Sequence, residues 1–131
     1  MWLNMARDDY QKALKKGERS YARYLSEGKY PYLQVLEELL SHTDVVAEED
    51  LGICSIPSEM IVGTFTAGRR TAFAPNFMPL LDDESEFAAK WQALYNAHLE
   101  EGIHDPIKCY EFMNRYYVLE GNKRVSVLKF C

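Results

Sequence analysis

The chain is 131 residues long and 47% hydrophobic, with 15 Lys and Arg against 20 Asp and Glu and a net charge of −5. That length supports one compact core burying about two-thirds of the unfolded surface, and the acidic balance excludes a surface that attracts nucleic acid as a whole. Cys54, Cys109 and Cys131 show no CxxC spacing, so neither a disulfide framework nor a zinc site is indicated, and no apolar run is long enough for a signal peptide or a membrane span.

A reducing cytoplasm is the expected setting. Any anion site has to be a local basic patch, for which Arg69, Arg70, Lys123, Arg124 and Lys129 are the candidates if the fold gathers them.

In chain order, the apolar positions Ala6, Tyr10, Ala13, Leu14, Tyr21, Tyr24 and Leu25 recur at three- and four-residue steps, which predicts an amphipathic helix over Asn4 to Glu27, with a possible interruption at Gly17. Gly28 is placed to terminate it. Pro31 is placed to start a second helix carrying Leu33, Leu36, Leu39 and Leu40, so residues 1–43 read as a helical hairpin appended to a domain of residues 44–131. Its tyrosines, Tyr10, Tyr21, Tyr24, Tyr30 and Tyr32, read first as rings covering a core with their hydroxyls in water, and second as a partner-binding or dimerisation face.

After Asp44 the pattern becomes β-prone, and strands are expected around Leu51 to Ile56 and Met60 to Phe65. The segment AGRRTAFAPNFMPLL, broken by Gly68, Pro75 and Pro79, predicts a long loop carrying Arg69 and Arg70; such arginines are most often solvated. Asp83 and Glu86 have capping-box spacing, and Phe87, Trp91, Leu94, Tyr95 and His98 trace one helical face up to Gly102. His98 reads as a packed histidine, and neither His42 nor His104 has partners at the spacing of a nucleophilic triad. IKCYEF and RYYVLE predict a β-hairpin turning at Met113 and Asn114.

The stretch YYVLEGNKRVSVLKF, from Tyr116 to Phe130, passes from strand to helix chemistry through Gly121. A helix beginning at Asn122 points its first amides and the cations Lys123 and Arg124 at one place, a recipe for holding phosphate or carboxylate. The last residues, Phe130 and Cys131, fall inside this helix with no stop signal, so a piece of a longer protein is the expectation.

The order of a strand, an arginine-bearing loop, a helix ending in EEGIHDPI, the hairpin IKCYEFMNRYYVLE and then GNKRVSVLKF resembles the amino-terminal domain of ParB partition proteins and the wider ParB/sulfiredoxin superfamily, over roughly residues 50 to 131. The resemblance implies an α+β fold with a small mixed sheet. It implies that Gly121, Asn122, Lys123 and Arg124 form a phosphate turn of the G-x-x-R kind. It also implies that Arg69 and Arg70 of GRRTAF share its pocket, and that the ligand is a nucleoside triphosphate with Mg2+. Asn122 stands where sulfiredoxins carry their reactive cysteine, so sulfinate chemistry is not expected. Glu120 matches an acid that several members place before the glycine, where it aids a metal-bound phosphate or acts as a base; NTPase or phosphotransferase activity would depend on it.

A phosphate- or nucleotide-binding domain is therefore the leading expectation. The alternatives are a non-enzymatic interaction or homodimerisation module, and a DNA-associated protein whose DNA-binding part lies outside this chain; the acidic charge argues against nucleic acid as a direct partner.

Overall fold

The computed structural model describes residues 2–41 and 48–131, the side chains of residues 2–5 and 69 apart. Helix α1 spans Trp2–Ser26 without a break. Its buried positions, Ala6, Tyr10, Ala13, Gly17 and Ser20, keep the helical step of three and four residues. Gly17 does not interrupt the helix; a Cβ there would overlap the carbonyl oxygen of Pro79, so the glycine admits a crossing segment. Gly28, at φ 70°, closes the helix, with the Lys29 amide donating to the Tyr24 carbonyl at 2.8 Å.

The expected second helix does not follow. Strand β1 (Gln34–Val35) takes its place, and only Leu36–Leu40 turn helically, as the five-residue α2. Leucines at 33, 36, 39 and 40 match a helical step, but burial follows a strand: Leu33 and Val35 are inside and Gln34 is exposed. Tertiary pairing overrides the local pattern, because β1 runs parallel to β2 (Ile61–Thr64) with Gln34 opposite Gly63 and Val35 opposite Thr64. The boundary expected at residues 43 and 44 lies outside the described residues. The α1 side chains Ala6, Tyr10 and Ala13 belong to the same core as the later helices.

The strand expected around Leu51 to Ile56 is absent among the described residues, and this segment is irregular with Leu51 and Ile53 exposed. Asp50 explains the diversion: its Oδ1 accepts from the Gly52 amide at 2.8 Å, and Gly52 has φ 71°, a local turn that no strand continues. A 3₁₀ turn at Ser58–Met60 leads into β2 and another at Ala67–Ala72 follows it.

Strands β3 (Lys108–Phe112) and β4 (Arg115–Glu120) form the expected hairpin, turning through Met113 and Asn114 at φ 52° and 63°, the left-handed pair that matches strand twist. The open sheet has the order β1-β2-β4-β3, parallel across its first three members and antiparallel at β3. Gly63 is required at its centre, since a Cβ there would overlap the Gln34 carbonyl oxygen and stand 2.9 Å from the Tyr117 ring.

Helix α3 (Glu86–Glu100) is capped by Ser85, whose Oγ accepts from the Ala88 amide at 3.0 Å. Asp83, expected in that role, instead accepts from Gln11 at 2.9 Å and from Arg7 at 3.3 Å, fastening α1 to the segment before α3. Trp91 of α3 is fully buried: it stacks on Tyr95, meets Tyr10 edge-on at 5.3 Å, and donates its indole N–H to Ser126 Oγ at 2.9 Å. Ser126 lies in α4 (Asn122–Phe130), flanked by the buried Val125 and Val127. The last helix is thus fixed by its middle. Both of its ends remain at the surface.

Candidate functional site

Strand β4 delivers the chain to Gly121, whose φ of 109° and ψ of 28° turn it directly into α4. A side chain here would be strained, and its Cβ would also come within 2.9 Å of the Ile107 side chain and 3.1 Å of the Arg124 guanidinium. Being glycine, Gly121 gives the helix no side-chain cap. The start of α4 faces a cleft of about 500 Å³, with Gly121, Asn122, Lys123 and Arg124 on one side and Phe73, Phe87, Lys90, Ala93 and Leu94 on the other.

Each side chain of the turn has a definite place. Asn122 points back into the sheet: its Nδ2 donates to Thr64 Oγ1 at 3.1 Å, and that hydroxyl donates to the Val118 carbonyl at 3.2 Å. The Thr64 proton is committed to Val118, which fixes the orientation of the Asn122 amide; Oδ1 is left buried with no hydrogen-bond partner among the described residues. Lys123 holds its ammonium 5.6 Å from the centre of the Phe87 ring. Arg124 folds over Gly121 and donates at 3.4 Å to the carbonyls of Asp105 and Pro106, just before β3. Lys90, one turn into α3, pairs with Glu86 at 3.0 Å while lining the cleft. Lys90, Phe87 and Leu94 were not legible as site residues, because only the packing of α3 on α4 brings them there, and Phe73 reaches the cleft from the turn at Ala67–Ala72 by packing on Phe87 at 5.2 Å.

The other expected contributors lie elsewhere. Arg70 pairs with Glu38 of α2 and lies 5.8 Å from the Tyr30 ring, away from the cleft. The side chain of Arg69 is outside the described residues. Lys129 is at the far end of α4, donating to the Ser58 carbonyl at 2.6 Å, and burial lowers its pKa. Glu120 is exposed and faces Lys108 across the hairpin at 3.9 Å. The five-residue basic patch is therefore divided, and Lys123 and Arg124 are the members that the turn unites.

No group of three His, Cys, Asp or Glu side chains suited to a metal converges among the described residues. The Cys109 thiol is pushed up to about 11, chiefly by burial and further by nearby Cys54, so it is protonated and unreactive at neutral pH. His98 Nδ1 accepts from the Ile103 amide at 3.3 Å, the packed role expected of it, and His104 contacts the Glu101 carbonyl at 2.9 Å. His42 lies outside the described residues. The turn thus sets an uncapped helix start and two cations beside an apolar wall.

Comparison with family models, curated proteins and solved structures gives no match to this chain. No helix among the described residues is long and apolar enough to cross a membrane.

Proposed function

We propose that the Gly121 turn binds the phosphate of a nucleotide or a related phosphate ligand, in the manner of the ParB-type domains that the sequence resembles. The observation that carries this reading is the meeting, in one cleft, of an α4 amino terminus without a side-chain cap and the side chains of Lys123 and Arg124. Helix-start amides and the helix dipole favour negative charge, and a guanidinium offers paired donors to phosphate oxygens. Arg124 is already oriented across the turn by weak 3.4 Å contacts to carbonyls, which phosphate can replace with charge-assisted bonds. Phe87 and Leu94 supply an apolar wall for the rest of the ligand. The proposal is one of binding; it assigns no turnover and no catalytic role to Glu120.

Thermal melts with a panel of nucleoside triphosphates at millimolar concentration test it. Ligand at about a hundred times its dissociation constant stabilises the folded state by roughly 2.7 kcal/mol. The expected result is an upward shift in Tm for the wild type that Arg124→Ala removes. A shift that persists undiminished in Arg124→Ala, or none with any member of the panel, overturns the assignment.

A further inference from the structure

Charge on this chain is segregated. Residues 11–25, within α1, carry five cations and one acid, Glu18, whereas the rest of the chain holds ten cations against nineteen acids. Lys12, Lys15, Lys16, Arg19 and Arg23 follow at helical steps, and at about 3.6 residues per turn they fall within roughly 100° of the helix surface. All five are exposed and lie off the buried line of Ala13, Gly17 and Ser20, and Glu18 falls outside their arc.

The fold neutralises little of this stripe. Lys12 reaches Asp9 at 3.6 Å, Lys16 lies 5.0 Å from the centre of the Phe130 ring, and Arg23 lies 5.6 Å from that of Tyr24. Among the described residues no carboxylate pairs with Lys15, Lys16, Arg19 or Arg23. From Lys12 to Arg23 the stripe is about 16 Å long, at roughly 1.5 Å of rise per residue.

Three kinds of anionic partner would meet it differently. Lying in a bilayer surface takes a free apolar face, and that of α1 is buried in the core. A nucleic acid strand that extends past the stripe meets a molecule otherwise dominated by carboxylates, which repel it. A short acidic helix meets neither obstacle. Carboxylates at three- and four-residue steps repeat with the same rise as the cations, so the two rows stay in register along their length.

From this arrangement we infer that the exposed face of α1 from Lys12 to Arg23 docks an acidic helix of a partner protein, its Asp or Glu side chains at three- and four-residue steps lying along the five cations. Exposed ion pairs are individually weak, so the contact is transient and weakens as salt rises. The Gly121 turn has no part in it.

Titration of the 15N-labelled chain with three probes of equal charge tests the inference. They are an alanine-based helical peptide with glutamates at the matching steps, a peptide of the same composition with the glutamates spread around the helix, and an oligothymidylate. The matched peptide should move the amides of residues 12–23 saturably, and the other two should bind more weakly by roughly fivefold or more, as the loss of two or three exposed pairs gives. Lys15→Glu combined with Arg19→Glu should abolish binding, and a peptide carrying lysine in place of glutamate should bind that double variant. Should the double variant fold poorly, Lys15→Gln and Arg19→Gln replace it, each weakening binding by roughly twofold or more. Arg124→Ala should leave binding unchanged. Equal binding of the two peptides, tighter binding of the oligothymidylate, undiminished binding in the α1 variants, or no movement in α1 at millimolar peptide overturns the inference.

Discussion

The two ends of α4 differ in where the lining of their clefts comes from. At the amino end it is contiguous: Gly121 sets the turn and Lys123 and Arg124 follow within three residues, so a short stretch of chain carries most of the chemistry. At the carboxyl end it is assembled. Lys129 meets tyrosines from the exit of α1, more than ninety residues earlier, and Ile61 of β2. A helix held by its buried middle can present unrelated clefts at its two ends, and only the contiguous one can be read locally.

The strongest way to break this distinction is to attack the shared support. Trp91→Ala removes the fully buried indole and its bond to Ser126, and should cost about 3–5 kcal/mol of stability. Any nucleotide response of the Gly121 turn should then be lost in parallel with the melting transition; its survival would mean that α4 is not fixed by its middle.

A change confined to one end should separate the two. Gly121→Ala forces a side chain to φ 109° and against Ile107, at a cost of about 1–2 kcal/mol, measurable by denaturant unfolding. Phosphate binding should be lost. Arg124→Ala should be gentler on the fold, within about 0.5 kcal/mol, since its carbonyl contacts are long and exposed. Its effect should appear in the thermal response to nucleotide.

A smaller effect tests the packing of α1 on the segment before α3. The Tyr10 hydroxyl donates to the Leu81 carbonyl at 2.6 Å, and burial, with Asp82 and Asp83 adding to it, raises its pKa well above the usual tyrosine value. The folded state therefore favours neutral Tyr10. That stability is fully present below the unfolded pKa near 10 and is lost as pH rises through it toward the folded value. Tyr10→Phe should cost about 1 kcal/mol at neutral pH and show a shallower decline in Tm at alkaline pH.

Much of the architecture was legible. The α3 face, the β3–β4 hairpin and the Gly121 junction depend on neighbours within a few residues, and they appear as expected. β1 was hidden because its leucines also satisfy a helical step, and only the free edge of β2 decides between the two. Asp83 leaves the expected capping role to Ser85 because Arg7 and Gln11, more than seventy residues away, engage Asp83. In the same way the Asn122–Thr64–Val118 chain and the position of Lys90 are long-range facts. Arg70 looked available in a loop of uncertain course, and α2 supplied Glu38 to hold it.

The central claim is that phosphate sits at the Gly121 turn, and amide resonances report on it most directly. Titrating a nucleoside triphosphate into the 15N-labelled chain should move the amides of Gly121, Asn122, Lys123 and Arg124 saturably, with affinity falling as salt rises. Amides that stay still at the turn while others move, or no movement anywhere at millimolar ligand, would contradict it.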